Sequence, residues 1–269
     1  VLSPPNGQSF STTAPSSVAV GPGGQFLYVA NSGTGTIGLF PINQVTGALS
    51  AGGTAVTVAN PQFIRIDPDG STLYATDSMS NLVSFFSIDP VTGLLTPAGT
   101  RAMRAGPGAL AFVSGTAALA PTPTFAYVAN AGDNTVSAFS ITPASGFLTP
   151  IVGSPFLVAP AGMGPVALSA DPLGKFLYVA NETSNNVSGL SINQTSGVLL
   201  EHAGSPFSPL ALGANPQSVA ADPSGRYLYV VNQGSNNVSA FSIASGTGIL
   251  TGVGLPVSTG GGTSPRAVT

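Results

Sequence analysis

Apolar and polar residues alternate through much of the chain, and the alternation returns in register. Five stretches carry it most clearly: FLYVAN (26–31), TLYATD (72–77), FAYVAN (125–130), FLYVAN (176–181) and YLYVVN (227–232). Their tyrosines, Tyr28, Tyr74, Tyr127, Tyr178 and Tyr229, are 46, 53, 51 and 51 residues apart. A proline stands 13 residues before four of them, at Pro15, Pro61, Pro165 and Pro216. Pro107 stands 20 residues before Tyr127, so seven extra residues fall around Ala117 to Pro123. Period-2 alternation places successive side chains on opposite faces of a strand.

Each unit predicts four short strands. Strand A follows the proline, as in SVAV (17–20). A Gly/Pro turn such as DPSG (222–225) follows, with the residue types a tight turn needs. Strand B holds the tyrosine. A polar loop such as NQGSNN (232–237) leads to strand C, where Val136, Ala138, Phe139 and Ile141 are the apolar positions of VSAFSI. A Thr/Ser-Gly turn precedes strand D, as in GFLT (146–149). The period and the density of Gly (35) and Pro (24) argue against helical repeats. Four strands every ~45–50 residues make a propeller blade.

The expected fold is therefore an all-β β-propeller in one domain. It has blades at about 15–60, 61–106, 107–164, 165–215 and 216–264. Partial strands are expected at 1–14 and 265–269, because Val1 to Phe10 matches Phe147 to Phe156 as a strand D, and Ser264 to Thr269 reads as a strand A. Five complete blades plus a loose strand at each end imply six or seven in the full protein. Either the chain is a fragment or another chain supplies the missing strands. Strand A also has a packing code. Its third residue is bulky (Val18, Ile64, Leu110, Leu168, Val219) and its fourth is small (Ala19, Ala111, Ser169, Ala220), except for Arg65.

Composition narrows the partners. Charged residues are 6% of the chain, against about 25% in ordinary soluble domains. Six Lys+Arg and a net charge of −3 give no basic stripe for nucleic acid. No apolar run is long enough to span a membrane. The charge-poor, Ser/Thr/Asn-rich surface suggests an extracellular or cell-surface protein whose partners are protein, carbohydrate or copies of itself. With one histidine and no cysteine, neither a metal nor another cofactor is expected.

The repeated Tyr-Val-Ala-Asn, with Asn-x-Val-Ser after it, resembles the YVTN repeat of bacterial and archaeal surface propellers. The spacing and the Thr/Ser-Gly turn also resemble the seven-bladed lactonase family, which includes 6-phosphogluconolactonase-like and muconate-cyclase-like proteins. The resemblance runs from Pro15 to Thr251. For the lactonases it implies a site at one blade, where a Gly-Pro-Arg-His strand precedes a Tyr-Val-x-Asn-Glu strand. Lactone opening needs a base to activate water and a cation to hold the developing oxyanion. In the equivalent stretch, GPVA (164–167), Val166 and Ala167 stand where the Arg and His would be, and Glu182 alone keeps its place. No catalytic residue is assigned on this basis; Glu182 is a position to test.

The remaining polar residues are read individually. Asp67, Asp171 and Asp222 head Asp-Pro-x-Gly turns and are expected to cap them. Glu201 and His202 fall in an outer strand D and read as surface decoration. Arg101 and Arg104 read as solvated. The Asn-x-Ser/Thr sequences at Asn181, Asn186, Asn193 and Asn237 follow from the repeat itself. Two arginines stand out as ligand-binding candidates. Arg65 occupies a small-residue slot, so it either faces the channel or pairs with Asp67 or Asp77. Arg266 follows Pro265, where a lactonase-type arginine would lie.

With two of the three expected residues replaced, the sequence favours a non-catalytic extracellular or surface propeller serving binding or assembly. A lactonase-like hydrolase or cyclase acting in the central channel is the first alternative. A subunit of an extracellular filament is the second.

Overall fold

The computed structural model describes residues 14–50, 56–114, 123–143, 145–158, 162–207 and 213–268. The strand expected at residues 1–10 and most of the insertion around 117–123 lie outside them. The described residues form five antiparallel sheets and no helix.

The first sheet runs β1 (Pro15–Val20), β2 (Phe26–Asn31), β3 (Thr36–Pro41), β4 (Val56–Thr57). The second runs β5 (Pro61–Ile66), β6 (Thr72–Asp77), β7 (Leu82–Ile88), β8 (Leu95–Ala102). In the third, β9 (Pro107–Ser114), β10 (Pro123–Asn130) and β11 (Thr135–Ile141) are followed by β12 (Leu148–Pro150) and β13 (Phe156–Leu157), both paired with β11. The fourth runs β14 (Pro165–Ala170), β15 (Phe176–Asn181), β16 (Asn186–Ile192), β17 (Leu199–Glu201). The fifth comprises β18 (Pro216–Ala221), β19 (Tyr227–Asn232), β20 (Asn237–Ile243), β21 (Leu250–Gly252) and β22 (Val257–Ser258).

Register repeats from blade to blade. Each inner strand starts with its proline opposite the last residue of the tyrosine strand: Pro15 faces Asn31, Pro61 faces Asp77, Pro107 faces Asn130, Pro165 faces Asn181 and Pro216 faces Asn232. The insertion of the third blade lengthens strands as well as their connection, since β9 and β10 have eight residues each where β14 and β15 have six. Strand D is not the single strand the sequence suggests. In the third and fifth blades it breaks into two pieces, both on strand C. In the second blade it is continuous, over the eight residues of β8.

Alternation explains how the blades stack. In β15, Phe176, Tyr178 and Ala180 pack toward the fifth blade, beside Val219, Leu228 and Val230. Leu177 and Val179, between them, pack toward the third blade, beside Tyr127 and Ile151. Equivalent apolar clusters fill the seams between the first and second blades and between the second and third. The inner strands follow in chain order, each in contact with the next: β1, β5, β9, β14, β18.

Each seam carries the same polar pin. The buried hydroxyls of Tyr28, Tyr74, Tyr127 and Tyr178 donate to the carbonyls of Gly93, Gly146, Gly197 and Gly248, at 2.7–2.9 Å. The acceptor always lies in the C–D turn of the following blade. Burial raises the pKa of all four phenols, that of Tyr28 to about 12. The turn must be glycine for two reasons: Gly146 sits at φ 65°, and a Cβ there would lie 2.8 Å from the Tyr74 hydroxyl.

A second link joins blade to linker. Asn81, Asn134, Asn185 and Asn236 adopt φ of 52–55°, a left-handed conformation asparagine tolerates better than most residues. Their Oδ1 atoms accept from the amides of Gly106, Gly164, Asn215 and Ser264, at 2.7–2.9 Å.

Candidate functional site

The inner strands line a central channel, because the free edge of each is left over once its other edge pairs with the tyrosine strand. At the end where these strands begin, a cavity of about 570 Å³ is bordered by Ser17, Val166, Gln217, Ser218 and Arg266. Deeper, a cavity of about 620 Å³ is walled by Val20, Ile66, Asp67, Ala170 and Ala221. At the far end, a pocket of about 210 Å³ lies between Arg65, residues 111–113 and residues 169–171.

Arg65 lines all three spaces. It projects from β5 in register with Tyr74 and reaches the neighbouring blade, where its Nη1 donates to the Leu110 carbonyl at 3.2 Å. Solvent reaches the side chain, yet protein surrounds it closely enough that desolvation lowers its pKa. The ion pair considered from the sequence is not formed: among the described residues Arg65 has no carboxylate within salt-bridge distance, and the ion pair present is Arg104 to Asp133 at 3.8 Å. Asp77 is committed elsewhere, accepting from the amides of Asn60, Met79 and Ser80. Asp67 is buried and caps its turn through the amides of Ser71 and Thr72. Desolvation, helped by the neighbouring Asp69, raises its pKa to about 6.

Arg266 is exposed on the rim of the first cavity. The segment around it is not a regular strand. It lies along β18, where the Val268 amide donates to the Ser218 hydroxyl at 3.1 Å. Arg65 and Arg266 thus come together in one space, which their 201-residue separation in the chain does not suggest.

The other sequence candidates disperse. Glu182 is half-buried in the loop after β15, and its backbone amide donates to the Gly164 carbonyl at 2.8 Å. That holds it beside the start of β14, next to the strand that carries Val166 and Ala167. Asp171 and Asp222 cap their turns as expected, each accepting from amides four and five residues on. His202 corrects the reading as surface decoration. It is 6% exposed, packed edge-on to Phe176 at 5.3 Å between ring centroids, and both ring nitrogens are buried without a partner among the described residues. Desolvation lowers its pKa. The sequence held the signal for this. Aligning FLTPIVGSPF (147–156) with VLLEHAGSPF (198–207) puts His202 where Ile151 fills the core of the preceding blade. Among the described residues, no group of three potential ligands could hold a metal ion. No helix is long and apolar enough to cross a membrane.

Known proteins place this channel in a family. A model of the seven-bladed β-propeller lactonases matches residues 2–113, 111–211 and 209–265. A curated 6-phosphogluconolactonase of Formosa agariphila is 41% identical over 81 residues, which are 29% of this chain and 22% of that protein, so the match spans under a quarter of the relative's length. A crystal structure from Bacteroides fragilis, described as a candidate 6-phosphogluconolactonase, is 26% identical with a TM-score of 0.76, covering 91% of this chain and 70% of that one. The periplasmic gluconolactonase of Pseudomonas aeruginosa shares the fold at 22% identity, with a TM-score of 0.75 over 94% of this chain and 71% of its own.

These matches overturn the reading of the chain as a non-catalytic binding or assembly module. That reading rested on Val166 and Ala167 replacing an Arg-His pair at one blade, together with the near-uniform repeats and the charge-poor surface. The replacement does not empty the channel of cationic groups, because Arg65 and Arg266 enter it from two other places. With family similarity along nearly its whole length, the chain belongs to the lactonase family of seven-bladed β-propellers.

Proposed function

We propose that the protein is a lactone hydrolase acting in the channel mouth, with a sugar lactone as substrate. The observation that carries this reading is the convergence of Arg65 and Arg266 on one cavity in a chain of lactonase family. The names of the Formosa and Bacteroides relatives support the sugar-lactone class.

The chemistry follows from the charges. Water attacks the ring carbonyl and the carbonyl oxygen takes up negative charge. Collapse of the adduct breaks the ring C–O bond, leaving a carboxylate and a hydroxyl. A guanidinium facing the carbonyl oxygen stabilises the adduct more than the neutral substrate, and that difference is what accelerates the reaction. Arg266 on the rim serves this role. Glu182, whose backbone amide is bonded to the Gly164 carbonyl just before β14, is the carboxylate proposed to take the proton from water.

The test is hydrolysis of glucono-1,5-lactone and its 6-phosphate by the purified protein, followed by acid release. The expected rate exceeds buffer. Arg266→Ala should lower kcat by about 100-fold, the scale of losing one oxyanion donor. Glu182→Gln should lower it with circular dichroism unchanged. A wild-type rate equal to buffer on both lactones would overturn the proposal.

A further inference from the structure

Four of the five inner strands have a small residue at the fourth position after their proline: Ala19, Ala111, Ser169 and Ala220. The second blade has Arg65 there. A substitution from a methyl or hydroxymethyl to a guanidinium is not needed by the fold, since the same position stacks well four times without it. Arg65 also makes little use of its hydrogen-bonding capacity. Of the five N–H donors a guanidinium carries, one forms a bond among the described residues, to the Leu110 carbonyl.

Arg65 borders the pocket of about 210 Å³ at the far end of the channel as well as the mouth with Arg266. At about 30 Å³ per water molecule in the liquid, that volume holds roughly seven waters, or one small polyatomic ion with part of its shell. On its opposite wall stands Ser169. The Ser169 hydroxyl oxygen accepts from the Ala221 amide at 3.0 Å, which leaves its proton to donate into the pocket. Asp171 lines the same pocket, but its oxygens are occupied by the amides of Leu173, Lys175 and Phe176. Partial exclusion of solvent strengthens a charge interaction that would be weak in open water. We propose that Arg65 and Ser169 form a small-oxyanion site at the far end of the channel, beyond the cavity at the mouth that Arg65 also borders, which takes an ion of the phosphate or carboxylate class.

Titration of the full chain with inorganic phosphate at constant ionic strength tests this, read by ³¹P line width. The wild type should bind saturably. Arg65→Ala, which restores the residue of three sister blades and so should fold, should weaken phosphate binding by about tenfold or more, the scale of one charge-assisted hydrogen bond. Arg65→Lys should recover part of the loss, and Ser169→Ala should weaken binding less. Arg226→Ala removes a cation that stacks on Tyr227 in a surface turn, and it should leave binding unchanged. Three results would overturn the site: no saturable binding by the wild type, Arg65→Ala within twofold of it, or equal weakening by Arg226→Ala. No lactone is present in this assay, and a protein that fails to open lactones can still bind phosphate here, so the two readings fail separately.

Discussion

The third and fourth blades are built on one frame and filled differently. In the third, the Ile151 amide donates to the Ala138 carbonyl, and the Ser154 hydroxyl accepts from the Ala138 amide. In the fourth, His202 and Ser205 make the same two bonds to Gly189. Ile151 lies against Phe125 beneath Gly197, and His202 lies against Phe176 beneath Gly248. The socket is shared, yet one occupant is aliphatic and the other an imidazole with both nitrogens unpartnered. A repeat therefore dictates the shape of a buried position and not its chemistry. An unpaired buried polar group costs about 1–3 kcal/mol, a cost the third blade does not carry.

The difference has a pH signature. Among the described residues, the ionisable ring against His202 is Tyr178, at 6.5 Å between centroids, and no carboxylate is bonded to the imidazole. Desolvation holds its folded pKa below the ordinary 6.5. As pH falls through 6.5 the unfolded chain takes up a proton that the folded protein refuses. The His202 contribution to stability is therefore intact above that value and lost progressively below it.

Three sets of variants test this difference. The largest effect belongs to the tyrosines of the two blades. Tyr127→Ala and Tyr178→Ala each empty a fully buried ring position and should each cost about 3–5 kcal/mol in urea unfolding. A clear inequality would show that the frames are not equivalent. Next comes the exchange of occupants. His202→Ile should stabilise the protein by about 1–3 kcal/mol, with the gain larger at pH 5 than at pH 8, and Ile151→His should introduce the acid sensitivity in the third blade. Parallel pH profiles for the wild type and His202→Ile would refute the assignment. The smallest effect isolates one hydrogen bond. Tyr178→Phe should cost about 1 kcal/mol, while Tyr229→Phe should be near neutral because Tyr229 is 37% exposed.

The sequence carried the fold because the fold is periodic. Five copies of one pattern average out local ambiguity, so strand type, blade limits and the tyrosine strands are legible from alternation and proline spacing. What it missed is non-periodic. The break in strand D depends on how residues 151–155 leave and rejoin strand C. Burial of His202 was readable only by aligning outer strands, where the repeat is weakest. The channel site was half visible. Arg65 stands out as a departure from the pattern and Arg266 by its place after Pro265, but their meeting depends on curvature around the axis. The functional reading failed where one blade stood for the whole: the replaced pair at Val166 and Ala167 said nothing about cations contributed by other blades.

The tyrosine-to-glycine pins have a consequence for how such a chain can change over generations. Each blade presents a plug on one side and a receptor for the next plug on the other, and all four observed couplings use the same parts. These pins join only adjacent units, so their part of the stability accumulates joint by joint. Copying a whole unit, or exchanging two, creates no joint the protein has not already made. Novelty is then free to appear at a single inner-strand position of one unit, as it has at Arg65, without renegotiating the joints on either side.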